Sequence, residues 1–196
     1  PDDATFFAAF DAGHRHGRRS GGHPNEPVGG DTLRPCRQNE AESRRGTFPG
    51  VSDPFYVVPA VHVLVRERDS LLMLRRANTG YEDGMLSIPA GHVDGDEPVT
   101  VSARRELREE LGIDVATEDL QFAHVMHRRK EGGEERVDFF LSLTRWVGAP
   151  TNAEPHKCSE LLWVPPDSLP PDVIPYVRHA IDSVRSGVQF SEFGWT

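Results

Sequence analysis

Three glutamates, Glu106, Glu109 and Glu110, stand at i, i+3 and i+4 within Arg105-Glu106-Leu107-Arg108-Glu109-Glu110-Leu111-Gly112-Ile113. On a helix these positions share one face. Like charges at that spacing repel, so a purely structural helix gains nothing from them. Hard divalent cations such as Mg²⁺ and Mn²⁺ prefer oxygen clusters of this kind. The pattern therefore points to a metal site for chemistry on phosphates. A solvated acidic helix face is the plain alternative, and the glycines at fixed distance on either side, Gly91 and Gly112, argue against it.

The helix that must carry these groups is legible as well. Pro98 suits a first helical turn, where no N–H partner is lost. Asp96 or Glu97 is expected at the cap, beside the positive end of the dipole. Val99, Ala103, Leu107 and Leu111 recur at i+4 and form a core-facing stripe. Glu106 and Glu110 flank that stripe and Glu109 lies further round, so the helix can pack and still offer carboxylates to a cleft. Gly112 fits a left-handed C-terminal position. Gly91 lacks a Cβ, so its backbone can approach a metal or phosphate closely.

Residues Gly91 to Ile113 resemble the Nudix box, G-x5-E-x7-R-E-U-x-E-E-x-G-U, where U is a bulky aliphatic residue. Every fixed position matches: Gly91, Glu97, Arg105, Glu106, Leu107, Glu109, Glu110, Gly112 and Ile113. Seven of them demand one residue type. At roughly one in twenty per position, a chance match is on the order of one in 10⁹ per start point. The resemblance spans about residues 53–196. It implies the Nudix fold, an α/β/α sandwich with a mixed β-sheet, and metal-dependent hydrolysis of nucleoside diphosphates linked to another group. It implies Gly91, Glu106, Glu109, Glu110 and Glu154 as metal ligands, and Arg105, Glu106, Glu109 and Glu154 as catalytic residues. Arg105 would orient the carboxylates and Glu97 would anchor the box loop. Many members have Gly-Gly where this chain has Ala90-Gly91. Glu154 is assigned by placement, since MutT-like members carry an extra glutamate in the corresponding loop; Glu160 is its rival.

Composition bounds the rest. The chain has 196 residues and a net charge of −9, from 22 basic and 31 acidic residues. That length is enough for one domain with a sizeable core. The acidic balance argues against stable nucleic-acid binding or an anionic membrane surface, and an acidic enzyme acting on polyanions needs cations to offset repulsion. No apolar run approaches 18 residues, so no transmembrane helix is expected. Cys36 and Cys158 have no metal-ligand spacing, and a reduced, cytoplasmic setting is the default. A homodimer is left open.

Residues 1–50 contain 8 Gly and 5 Pro, with few apolar residues after Phe10. A disordered or loosely packed extension is expected over residues 1–52, with the hydrolase domain over 53–196. His14, His16 and His23 read as solvated tail residues. From Phe55 onward the pattern becomes regular. Tyr56–Val65 and Leu71–Leu74 read as a strand hairpin, and Met85–Pro89 as a short strand entering the box loop. Leu120–His127 and Val137–Leu143 read as strands flanking a turn at 131–134, and Leu161–Val164 as a last strand. Ile174, Val177, Ile181 and Val184 recur at helical spacing and predict a closing helix. The aromatic segment Ser191–Thr196 could fold back over the domain.

Arginine grips phosphate with two parallel hydrogen bonds, so Arg75, Arg76 and Arg128 are candidate substrate-binding residues, the last within the basic run His127–Lys130. Tyr81, Phe139, Trp163, Phe190, Phe193 and Trp195 are candidates for stacking on a base, each with a core role as the alternative. The leading expectation is cleavage of a nucleoside triphosphate, modified or not, to NMP and pyrophosphate with Mg²⁺ or Mn²⁺. The alternatives are a nucleotide-sugar or ADP-ribose pyrophosphatase and, in a different class, a non-catalytic nucleotide sensor on the same fold.

Overall fold

A computed structural model describes residues 55–195. The extension expected over 1–52 lies outside the described residues. Eight strands form one mixed sheet: β1 (Val58–Glu67), β2 (Ser70–Arg76), β3 (Leu86–Ser87), β4 (Ala90–His92), β5 (Gln121–Arg129), β6 (Glu135–Leu143), β7 (Cys158–Val164) and β8 (Phe190–Phe193). Two helices are added, α1 (Val99–Leu111) and α2 (Pro175–Arg185). β1 runs parallel to β6, and β5 parallel to β8; the other pairings are antiparallel.

Strand pleating sends alternate residues to opposite faces. Val61, Val63 and Val65 of β1, with Leu72 and Leu74 of β2, pack with Ala103, Leu107 and Leu111 of α1. Leu64, Leu71 and Met73, between them in sequence, pack with Val177, Ala180 and Ile181 of α2. Two apolar faces, each covered by a helix, give the α/β/α sandwich.

β1 and β2 pair only near their connecting turn, Arg66 with Leu71 and Glu67 with Ser70. Beyond it they part. β4 continues beside β1, Gly91 opposite Val61, and β3 beside β2. The sheet is thus split at one end, and the box loop runs through the split.

Helix α1 begins one residue later than expected. Pro98 is its N-cap, in extended conformation, and no side chain caps it. Glu97 is drawn away to Arg105. The helix ends at Gly112, whose φ of 66° is left-handed. β4 and β8 have only three and four residues, too short for a period-2 signal.

Candidate active site

The split end of the sheet opens into a cavity of about 550 Å³ lined from both helical layers. One end is acidic. Glu106, Glu109 and Glu110 reach it from α1 and Glu154 from the loop before β7. Gly91 forms the adjoining wall, and a Cβ there would overlap the Glu106 carboxyl group. The glycine is required by this close approach, not by its φ.

Arg105 organises the box. Its Nη1 donates to Glu106 Oε1 at 2.6 Å, and its Nη2 donates to Glu97 Oε1 at 2.8 Å and to the His92 carbonyl at 3.1 Å. Glu109 lies 3.7 Å away. The Arg105 hydrogen bond, helped by the Asp94 N–H, holds Glu97 down at about 2. Burial pushes Glu106 up, although Arg105 opposes it. Glu110 has no such cation. Burial, then the Glu106 carboxylate, pushes it up to about 8, against one N–H from Ala90 at 3.2 Å. Glu154 pairs with Lys157 at 2.7 Å. Turned toward these partners, no three His, Cys, Asp or Glu side chains among the described residues form a ready metal-ligand group. The donors nonetheless suit a hard divalent cation: all are oxygens, Glu110 is short of positive charge, and Gly91 leaves room for Glu106.

The other end is rich in buried donors. Arg128 and Arg136 from β5 and β6 are 4% and 9% exposed, and His62 of β1 is 3% exposed. Arg128 Nε donates to Asp138 Oδ2 at 2.5 Å, and its Cζ lies 3.8 Å from the Tyr176 ring centre on α2. Burial would raise Asp138, but the neighbouring His62 and Arg128 outweigh it and hold the carboxyl at about 2. Burial pushes Tyr176 up to about 12. His62 stacks on Phe140, centroids 4.6 Å apart. At the rim Tyr81 has Arg76 and Lys130 each 5.4 Å from its ring centre.

The structure therefore brings Gly91, Glu106, Glu109, Glu110, Glu154, Arg76 and Arg128 to one cavity, with Arg105 tied to its carboxylates. Arg75 is elsewhere. The pleat turns it away from Arg76, and it pairs with Glu160 at 3.0 Å and Asp172 at 2.6 Å; neither it nor Glu160 lines the cavity. Of the aromatic candidates Tyr81 alone does so, while Trp195 packs by His127 and Arg129. His62, Arg136, Asp138 and Tyr176 went unnoticed in the sequence. Their signal was weak but present: a histidine and an aspartate inside the apolar runs Val61-His62-Val63 and Val137-Asp138-Phe139.

Comparison with known proteins agrees with this geometry. The family model of the NUDIX domain matches residues 57–183. A Bacillus subtilis (strain 168) protein, provisionally assigned as an 8-oxo-dGTP diphosphatase, is 28% identical over 134 residues, covering 68% of this chain and 83% of its own length. A MutT-like protein of Streptomyces ambofaciens is 30% identical over 106 residues, covering 49% and 66%. Among solved structures, the MutT NUDIX hydrolase of Burkholderia pseudomallei superposes with a TM-score of 0.60 at 26% identity, covering 65% of this chain and 98% of that one. With its box intact, its two-layered helices around a mixed sheet and these relatives, the chain belongs to the Nudix family and is a MutT-like Nudix pyrophosphohydrolase.

Proposed function

We propose that this chain hydrolyses nucleoside triphosphates, modified or oxidised ones included, to NMP and pyrophosphate, using Mg²⁺ or Mn²⁺. The observation that carries the reading is the convergence of Glu106, Glu109, Glu110 and Glu154 on one cavity wall beside Gly91. Nudix hydrolases generally use divalent metal ions and act on nucleotide-type small molecules. Here the four glutamates and the Gly91 carbonyl would hold the ions, which supply charge neutralisation on the phosphate oxygens. Arg105 fixes Glu106 and draws Glu109 toward the same cluster by charge-assisted contacts. Glu109 or Glu154 accepts the proton of a water that attacks phosphorus as the bond to the leaving pyrophosphate breaks. Arg76 and Arg128 face the substrate's polar groups.

The choice of a triphosphate, oxidised ones included, is supported by the Bacillus subtilis relative's assignment and by Tyr81, an aromatic ring lining the cavity beside Arg76 and Lys130. Activity is assigned to residues 53–196, and all four carboxylates come from one chain, so a homodimer is not required. Among the described residues Cys158 is a free, buried thiol, which suits a reducing cytoplasm. No helix among the described residues is long and apolar enough to cross a membrane.

A panel of nucleoside triphosphates, ADP-ribose and nucleotide sugars, read by pyrophosphate and phosphate release, tests the assignment. Pyrophosphate from triphosphates, abolished by EDTA and restored by Mg²⁺ or Mn²⁺, is expected. Turnover confined to ADP-ribose or sugar nucleotides, or equal turnover in EDTA, would overturn it.

A further inference from the structure

We propose that Lys157 is a releasable counter-cation for the acidic end of the cavity: it holds Glu154 in the metal-free chain, gives that carboxylate up to the divalent ion, and turns its own ammonium to the phosphate chain of the substrate. This rests on the reading of Glu154 as a metal ligand and names a residue that sets how tightly metal and substrate are held. Lys157 Nζ donates to Glu154 Oε1 at 2.7 Å, and both residues line the cavity. The Glu154 hydrogen bond, against some desolvation and with Glu110 and Glu106 adding, holds the Lys157 proton more tightly than usual. One ammonium thus feels three of the four carboxylates.

The backbone around Lys157 is fixed, while its side chain has room. Its N–H donates to the Glu154 carbonyl at 2.9 Å, and its own carbonyl accepts from the Ala77 N–H at 2.8 Å. Asn78 Nδ2 donates to the His156 carbonyl at 3.2 Å. The turn is therefore tied both to itself and to the segment that follows β2. The Lys157 side chain is 54% exposed, against 21% for Glu154. An ion pair this open is held weakly, and the flexible stem of lysine lets a point charge swing while the backbone stays in place. An arginine would grip the carboxylate with two hydrogen bonds and release it less readily.

Charge dictates the exchange. Arg105, the cation of α1, is committed to Glu97 and Glu106, and Lys157 offsets Glu154. A divalent ion carries twice the charge at shorter range and displaces an ammonium from the same oxygen. Once released, Lys157 has a second anion to meet. Cys158 stands opposite Arg76 in the β2–β7 ladder, so Lys157 is one residue from that pairing, on the side of the cavity where Arg76 is a candidate phosphate contact. Arg76 is fixed by the Tyr81 carbonyl and the Thr79 hydroxyl. Lys157 adds a charge beside it that can follow the substrate.

The test reads Mn²⁺ binding to the nucleotide-free full chain by electron paramagnetic resonance of the free ion. Wild type, Lys157→Met and Lys157→Arg are compared, and Lys157→Met is repeated in a Glu154→Gln background, with folding checked by thermal unfolding. Methionine keeps the stem and removes the charge. Lys157→Met should bind Mn²⁺ roughly 3- to 10-fold tighter, and Lys157→Arg no tighter than wild type. With Glu154→Gln in place, Lys157→Met should shift the affinity by less than about twofold. For dGTP and dATP at saturating Mg²⁺, Lys157→Met should raise KM roughly 3- to 10-fold and keep kcat within about twofold. Tighter metal with looser substrate is a signature that a merely structural lysine does not give, since damage to the turn weakens both. Unchanged or weaker Mn²⁺ binding in folded Lys157→Met, an unchanged KM, or an equal gain in the Glu154→Gln background overturns the proposal and leaves the metal reading standing. Absence of Mn²⁺ binding in wild type and Lys157→Met alike sinks the metal reading, and the inference with it. If neither triphosphate is cleaved, the triphosphate reading fails and Mn²⁺ binding alone decides Lys157: tighter binding in Lys157→Met supports its role, and unchanged or weaker binding overturns it.

Discussion

At one end of the cavity, four carboxylates stand on one helix and one loop, two of them with raised proton affinity. At the other, Arg128, Arg136, His62 and Asp138 interlock in the interior of the sheet. The acidic end gathers like charges, and burial together with neighbouring carboxylates raises the proton affinity of Glu106 and Glu110. The donor-rich end pairs opposite charges on buried side chains, so it is part of what holds the sheet. On the proposed function, the first end would trade stability for chemistry, while the second contributes to the fold itself. Substitutions at the two ends should fail in different ways.

The largest effect is expected at the acidic end, on rate alone. Glu109→Gln or Glu110→Gln removes a charged group without changing shape. Even outer-shell partners of metal ligands typically cost 10- to 100-fold, so kcat should fall by about 10² or more. Thermal unfolding should stay close to wild type. Wild-type rates in both variants would show that the site is misassigned, and unfolded variants would erase the contrast between the ends.

At the donor-rich end the order is reversed. Arg128→Leu leaves Asp138 buried with only the more distant His62 and Arg136 contacts, at 3.5 and 3.6 Å. Removing one partner of a buried pair costs about 3–5 kcal/mol, to be read from urea unfolding midpoints. A loss below about 1 kcal/mol would mean that the pair contributes no more than a surface one.

Gly91→Ala probes the seam between sequence and site. A Cβ there overlaps the end of a flexible side chain, the Glu106 carboxyl, and not backbone. The fold can accommodate it by moving that carboxyl. A fall in kcat of roughly tenfold with an unchanged unfolding temperature is expected, the size of effect seen when a ligand is left slightly misplaced. Equal losses in activity and stability would place the clash elsewhere.

The three helical carboxylates of the acidic end were legible because they stand on adjoining turns of one helix, so spacing along the chain is spacing in space; Glu154, on a loop, was named only by its placement in the family. From Gly91 to Ile113 the type, face and end of the helix follow from local rules. The donor-rich end is assembled from β1, β5, β6 and α2, with His62 and Tyr176 more than a hundred positions apart. Pairing between distant strands is not written in any local window. Arg75 and Arg76 show the smaller version of the same difficulty: adjacent and alike in sequence, they are sent by the pleat to different surroundings, one to Glu160 and Asp172, the other to the cavity.

A pH experiment sharpens the comparison further. Glu110 titrates near 8 in the folded chain, well above its ordinary value of 4.5. Between those values the folded state binds a proton that the unfolded state has released, so stability falls as pH rises through that window. In EDTA the unfolding temperature should drop by a few degrees from pH 6 to 9, and Glu110→Gln should flatten the slope. An identical slope in the variant would assign the proton to another group.

The smallest effect is expected at Glu160, and it is informative through its neighbour in sequence. Glu154 is fixed against the acidic end: Thr151 N–H and Ala153 N–H donate to the Leu111 and Glu110 carbonyls at 3.0 Å each, binding its loop to the end of α1. Its backbone carbonyl accepts from Lys157 and Cys158, which fixes the turn that carries it. Glu160 instead lies across the β2–β7 ladder from Arg75, half exposed in an ion pair. Such pairs contribute about 0–1 kcal/mol. Glu160→Gln should therefore leave kcat and KM within about twofold and stability within that range. Glu154→Gln should lower kcat and kcat/KM together, as loss of a contact made mainly in the transition state does. Full Michaelis curves for both variants at saturating Mg²⁺ decide it. A crippled Glu160→Gln beside a normal Glu154→Gln would reverse the choice, and would mean that β7, not the loop before it, completes the acidic end.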